Sequence, residues 1–149
     1  MATILLPPDF KEFLQLLHDH HVDYLLIGGY TVGYHGYPRA TGDMGIWIAI
    51  NPANAEKLVA VLTAIGFEAS DISADLFLQP NNVIRMGNPP LRLELLTTVS
   101  GVGFADAYAQ RVTDTIDGAP VTIIGLEPLK INKRASGRLK DLSDVENLP

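Results

Sequence analysis

Two acidic residues stand where an acid is expensive to keep. Asp43 sits at the mouth of the apolar run "MGIWIAI" (residues 44–50), and Glu94 lies inside "LRLELLT" (residues 91–97). Side chains alternate along a strand, so Asp43, Gly45 and Trp47 share one side, while Met44, Ile46 and Ile48 share the other. The same rule puts Arg92, Glu94 and Leu96 on one face of the second run and leucines 91, 93 and 95 on the opposite face. Burying a carboxylate is unfavourable unless a cation or hydrogen-bond donors compensate. Two strands with one such acid each point to a shared partner, and a hard divalent cation is a natural one. Mg²⁺ is typically held by one or two carboxylates together with substrate phosphates, and it keeps several waters.

Other residues extend this chemistry. "DYLLIGG" closes on the pair Gly28–Gly29, and thirteen residues separate Gly29 from Asp43. A turn without Cβ atoms lets a phosphate approach backbone N–H groups and a helix start closely. Five of the eleven Lys and Arg residues fall between Lys130 and Lys140, in "KINKRASGRLK", where they could balance phosphate charge. A plainer reading uses the same residues. Asp43 caps a strand, Glu94 pairs with Arg92 or Arg39, the glycines only turn, and the basic run is a solvated helix face. The residues alone leave both readings open.

The elements that must position these groups follow from pattern. "PPDFKEFLQLLHDHH" carries Phe10, Phe13, Leu14 and Leu17 on one helical stripe. "DYLLIGG" is a buried strand, "YTVGYHGYP" leaves room for a short helix, and "MGIWIAI", apolar on both faces, is a central strand. "NPANAEKLVAVLTAIGF" is the clearest helix, capped by Asn51, started by Pro52, lined by Leu58, Leu62 and Ile65, and ended by Gly66. "NNVIRMGNPPLRLELLT" reads as two strands around a Gly-Asn-Pro-Pro turn. A short helix in "FADAYAQRV", a strand in "APVTIIG" and one or two closing helices complete an α+β domain, a small mixed β-sheet flanked by helices.

Bulk properties set bounds. At 149 residues the chain is the size of one domain, taken as 1–149. Its net charge of −6 argues against non-specific binding to nucleic acid or an anionic membrane. The longest apolar run is too short to span a bilayer, and the start "MATILLPPDF" lacks the basic and apolar regions of a secretory signal. Cysteine is absent, which excludes disulfides and fits a reducing, cytoplasmic setting.

"LLIGGYTVGYHGYPRATGDMGIWI" resembles the signature of the DNA-polymerase-β-like nucleotidyltransferase superfamily, especially its small bacterial and archaeal members. These include minimal nucleotidyltransferases and abortive-infection-type antitoxins. "RLELLT" resembles the strand bringing the third carboxylate, and "LKINKRASGRLKDLSDVENL" resembles the closing helices. The resemblance implies a palm-like fold and a two-metal site for Mg²⁺ or Mn²⁺. There an acceptor hydroxyl would attack the α-phosphorus of a nucleoside triphosphate, with pyrophosphate leaving. It makes Asp43 and Glu94 the catalytic metal ligands. Gly28, Gly29, His35, Arg39, Thr41, Lys133 and Lys140 become nucleotide contacts, the two lysines sharing one helical face if the helix survives Gly137. The implied partners are a nucleoside triphosphate, an RNA or protein acceptor, and a second copy or a toxin-like protein.

One position departs from the pattern. Gly45 stands where the superfamily has its second acid, and no neighbour replaces it: Met44 faces the other way and Thr41 is a neutral, poor ligand. A missing ligand at a phosphoryl-transfer site slows transfer by orders of magnitude. The chain is then a degenerate nucleotide binder, a sequence altered to disable catalysis, or a weak one-metal enzyme. The alternative in another class is an inactive regulatory or antitoxin-like protein-binding module. Trp47 reads as a core aromatic, and His18, His20 and His21 as a solvated helix end.

Overall fold

The computed structural model describes residues 4–68, 70, 72–88 and 91–149. The elements run α1 (Pro8–Asp19), β1 (Tyr24–Ile27), α2 (Gly29–Tyr34), β2 (Met44–Ile48), α3 (Pro52–Ala64), a 3-10 turn (Ala74–Phe77), β3 (Val83–Met86) and β4 (Leu93–Leu96). They continue with α4 (Phe104–Ala109), β5 (Val112–Ile116), β6 (Ala119–Ile123), α5 (Leu126–Ser136) and α6 (Leu139–Asn147). This is the expected α+β chain with a mixed sheet. The six strands lie in the order β3-β4-β2-β1-β6-β5. β2 runs antiparallel to β1 and parallel to β4, so it is central, as a strand apolar on both sides has to be.

Alternation divides the core into two layers. Met44, Ile46 and Ile48 join Tyr24 and Leu26 beneath α1 and α3, with Phe10, Phe13, Leu14, Leu17, Leu58 and Leu62 fully buried among them. Leu25, Ile27 and Trp47 face the other way, into a smaller cluster with Ala107, Ile124 and Leu129. Trp47 is a core aromatic: its ring meets Phe104 edge-on at 5.2 Å, and its indole N–H donates to the Thr97 carbonyl at 3.3 Å. This second cluster covers only part of its face. The remaining rim of the sheet, at β2, β3 and β4, stays open.

α3 begins as its sequence predicts, with the Asn51 side chain accepting from the Asn54 N–H at 2.8 Å. Asn54 does more than sit in the first turn. It is buried, its Oδ1 accepts from the Asp23 N–H at 2.7 Å, and its Nδ2 donates to the carbonyls of Asp23 (3.0 Å) and Ala49 (2.9 Å). One amide thus ties the start of β1 to the end of β2.

One feature differs from the sequence expectation. "VTDTI" forms β5, paired with β6 as a hairpin through Asp117 and Gly118, which have φ of 50° and 82°. An Asp-Gly pair with both residues left-handed suits the primed turn that matches strand twist, so a signal was present. The closing region is two helices, because Gly137 adopts φ 69° and ends α5. The prolines of the expected Gly-Asn-Pro-Pro turn, Pro89 and Pro90, lie outside the described residues. No helix among the described residues is long and apolar enough to cross a membrane.

Asn54→Ala strands an N–H and two carbonyls in the interior. The expected loss is about 2 kcal/mol or more of unfolding free energy, read as a lower urea midpoint with unchanged slope.

Candidate functional site: a charged cleft at the open rim of the sheet

Strand register assembles one wall. The β2–β4 pairing sets Gly45 beside Glu94, and the β3–β4 pairing sets Arg85 across from Glu94. The Arg85 Nε lies 3.2 Å from Glu94 Oε2, and the Arg92 Nε lies 3.1 Å from Asp43 Oδ1. Two acids and two arginines therefore share the rim, and all four line one small hollow there. These side chains are substantially exposed, so each pair is screened and contributes only ~0–1 kcal/mol. They are available to a ligand.

α5 and α6 form the opposite wall. The left-handed Gly137 turns the chain so that α6 packs back on α5 and brings Asp141 and Asp144 against Lys133. The Lys133 ammonium is buried, 3.3 Å from Asp141 Oδ1 and 2.9 Å from Asp144 Oδ2. Arg39, from the segment after α2, grips Asp144 with Nε at 2.8 Å and Nη2 at 2.9 Å. Arg138 donates to Asp141 at 2.7 Å. Burial alone would raise both carboxyls. For Asp141 the Arg138 hydrogen bonds and the Lys133 charge outweigh it; for Asp144 the bonds from Arg39 and Lys133 do so. Both are held below the usual carboxylate range.

Between the walls lies a cleft of about 430 Å³ lined by Gly28, Gly29, Arg39, Thr41, Asp43, Gly45, Arg92, Glu94, Lys133, Arg138, Lys140 and Asp141, among others. The two acids, the glycine pair and both lysines singled out in the sequence thus meet in one place. Lys133 and Lys140 arrive there from different helices, not from one continuous face. A second lobe of about 470 Å³ continues past Gly28, Gly45 and Glu94, shares Lys133, Arg138 and Asp141 with the first, and adds the uncharged polar groups of Asn81, Thr98, Ser100, Asn132 and Ser136.

Not every candidate faces the cleft. His35 does not line it, and its Nε2 lies 2.8 Å from the Ile124 carbonyl oxygen. Arg39 lines the cleft with its guanidinium committed to Asp144 rather than to Asp43. Arg85, Asp141 and Asp144 escaped the sequence reading. The three-residue spacing of Arg138, Asp141 and Asp144 along one helix start was the available sign.

The glycines have separate reasons. Gly28 has φ 84°. At Gly29 a Cβ would lie 2.6 Å from the Thr41 Cβ, so the segment leading to Asp43 crosses the start of α2 only over a glycine. At Gly45 a Cβ would lie 3.2 Å from Ile27 Cγ1 and 3.3 Å from the Ile27 carbonyl oxygen. A side chain at 45 therefore requires Ile27 to give way by a few tenths of an ångström.

For divalent ions the β2–β4 rim offers two carboxylates, Asp43 and Glu94. Among the described residues no three His, Asp or Glu side chains gather closely enough to hold a cation. Both carboxylates on the β2–β4 rim already face arginines, and position 45 supplies no third donor.

Solved structures share this architecture. One, from Thermotoga maritima and described as a "putative nucleotidyltransferase", is 11% identical, with 95% of this chain and 91% of that chain covered at a TM-score of 0.61. The fold is that of the nucleotidyltransferases. An antigenic nucleotidyltransferase-like protein from Paracoccidioides brasiliensis is 19% identical, covering 95% of this chain and 75% of that one at a TM-score of 0.50. At such identities the likeness speaks for fold. No family model and no curated protein sequence matches the chain.

Lys133→Met leaves the Asp141 and Asp144 carboxylates buried with less compensation. The expected loss is roughly 3 kcal/mol, against less than about 0.5 kcal/mol for Lys140→Met, both by urea denaturation. Because the two folded carboxyls titrate below their unfolded values, the native state binds fewer protons through that interval. Their stabilisation is complete above the unfolded pKa of about 3.9 and is lost as pH falls through the depressed folded values. Acid unfolding followed by circular dichroism should therefore steepen below about pH 4, and Lys133→Met should flatten that dependence.

Proposed function

We propose that this chain is a nucleotide-binding domain on the nucleotidyltransferase fold, holding a nucleoside triphosphate in the charged cleft and impaired in nucleotidyl transfer. The observation that carries the reading is the cleft's charge. Arg39, Arg92, Lys133, Arg138 and Lys140 line it against Asp43, Glu94 and Asp141, and with Asp144 paired behind Arg39 and Lys133 the cations still outnumber the carboxylates, in a chain whose net charge is −6. Such local concentration of positive charge in an acidic protein selects for a polyanion. The lobe next to it adds amides and hydroxyls of the kind that orient a nucleoside or an acceptor hydroxyl.

Transfer would require an acceptor hydroxyl to bond to the α-phosphorus while pyrophosphate leaves. Asp43 and Glu94 are the residues that would hold a Mg²⁺ or Mn²⁺ ion, which would supply charge neutralisation and activation of the acceptor. Gly45 offers nothing to this step. Lys140, which has no carboxylate partner among the described residues, is the cleft cation most free to take a phosphate.

A second reading is a regulatory or antitoxin-like module that uses the same scaffold to bind protein, a toxin-like partner or a second copy. Leu139 and Leu142 on α6 favour it, being 87% and 42% exposed one helical turn apart. Thermal melting with each of the four nucleoside triphosphates separates the two. The nucleotide reading expects at least one to stabilise, by about 2.7 kcal/mol at a hundredfold excess over Kd, and expects Lys140→Glu to diminish the shift. Four triphosphates without effect would overturn it in favour of the protein-binding module.

A further inference from the structure

The rim of the sheet is already balanced in charge without a metal. We propose that the cleft takes its polyphosphate as the free anion, with Arg92 on one wall and Lys140 on the other standing in for divalent cations. This rests on the nucleotide reading above and names the ionic form of its ligand.

Charge balance is the first argument. In the rim, Asp43 is matched by Arg92 at 3.1 Å and Glu94 by Arg85 at 3.2 Å, so the two acids and two arginines sum to zero. A divalent cation entering there meets no uncompensated negative charge and leaves the rim strongly positive. An acid at position 45 would have reversed that preference. It would lie next to Glu94 in the β2–β4 register and make the rim net negative. Glycine there removes the charge, and the close approach of Ile27 fills part of the space where a side chain would begin.

Geometry is the second argument. Arg92 and Arg85 side chains are 54% and 74% exposed, and the acids they face are 50% and 32% exposed. Pairs this wet exchange partners readily, because each is worth little in water. A phosphate group offers guanidinium two oxygens in the bidentate geometry it favours. The opposite wall adds Lys140 without a carboxylate claiming it among the described residues. Arginine on one wall and lysine on the other can close on a phosphate chain with no metal between.

Titration calorimetry of the full chain with ATP and with inorganic triphosphate, in EDTA and in millimolar Mg²⁺, tests this. Both ligands should bind in EDTA at least as tightly as in Mg²⁺, and affinity should fall as salt rises. Arg92→Ala, an exposed substitution that leaves the core untouched, should weaken binding in EDTA by tenfold or more. Gly45→Asp, once a thermal melt shows that it folds, should bind poorly in EDTA and recover in Mg²⁺. Binding that is tenfold tighter with Mg²⁺ in the unmodified chain overturns the inference and leaves nucleotide binding standing. Absence of binding in both buffers overturns the nucleotide reading as well. An Arg92→Ala chain that binds normally, or a folded Gly45→Asp chain indifferent to Mg²⁺, removes the charge-balance argument.

Discussion

The parallel pairing of β2 with β4 is the constraint on which the rest depends. It fixes Gly45 against Glu94 and so decides which side chains share the open rim. Slipping a strand by one residue would send its whole polar set to the other face, which here means into the layer under α1 and α3. Met44, Ile46, Leu93 and Leu95 are all buried in that layer, so the register is held by the apolar side and the charged side follows. The chemistry of the rim is thus positioned by residues that take no part in it.

Buried charge does a comparable job at the other wall. Lys133, Asp141, Asp144 and Arg39 connect α5, α6 and the segment leading into β2. Such a network is sensitive to the loss of any member, since each removal leaves a charge without a partner in a dry setting. Its value lies in fixing where the closing helices stand. That in turn fixes the width of the cleft between them and the sheet. Gly137 is the hinge of the arrangement, because only a left-handed residue there lets α6 turn back so abruptly.

Gly45 belongs to both stories. Inside a strand a glycine forfeits packing and is costly in the unfolded-state comparison, by roughly 0.5–1 kcal/mol against alanine. The Ile27 contact supplies a local reason for it, close strand approach, that composition and spacing could not reveal. With glycine there, the two remaining acids are few enough to be neutralised by two arginines. The cleft keeps the architecture of the nucleotidyltransferase fold with a rim that is neutral where an acid at 45 would make it negative.

Much of this was written in the chain. Periodicity determined α1 and α3, apolarity on both faces made β2 central, and alternation put Asp43, Gly45 and Glu94 on the side away from α1 and α3. Those are local consequences of chain geometry, so the sequence suffices for them. The β5–β6 hairpin went unread, although the Asp-Gly turn was its sign. What the sequence did not decide is partnership. Whether Glu94 faces Arg85, Arg92 or Arg39, whether Lys133 is a free cation or a buried one, and whether His35 turns to the cleft or to the Ile124 carbonyl depend on strand order and on the turn at Gly137. Each is a contact between residues distant along the chain, and charge attraction has no preferred partner until packing brings one within reach.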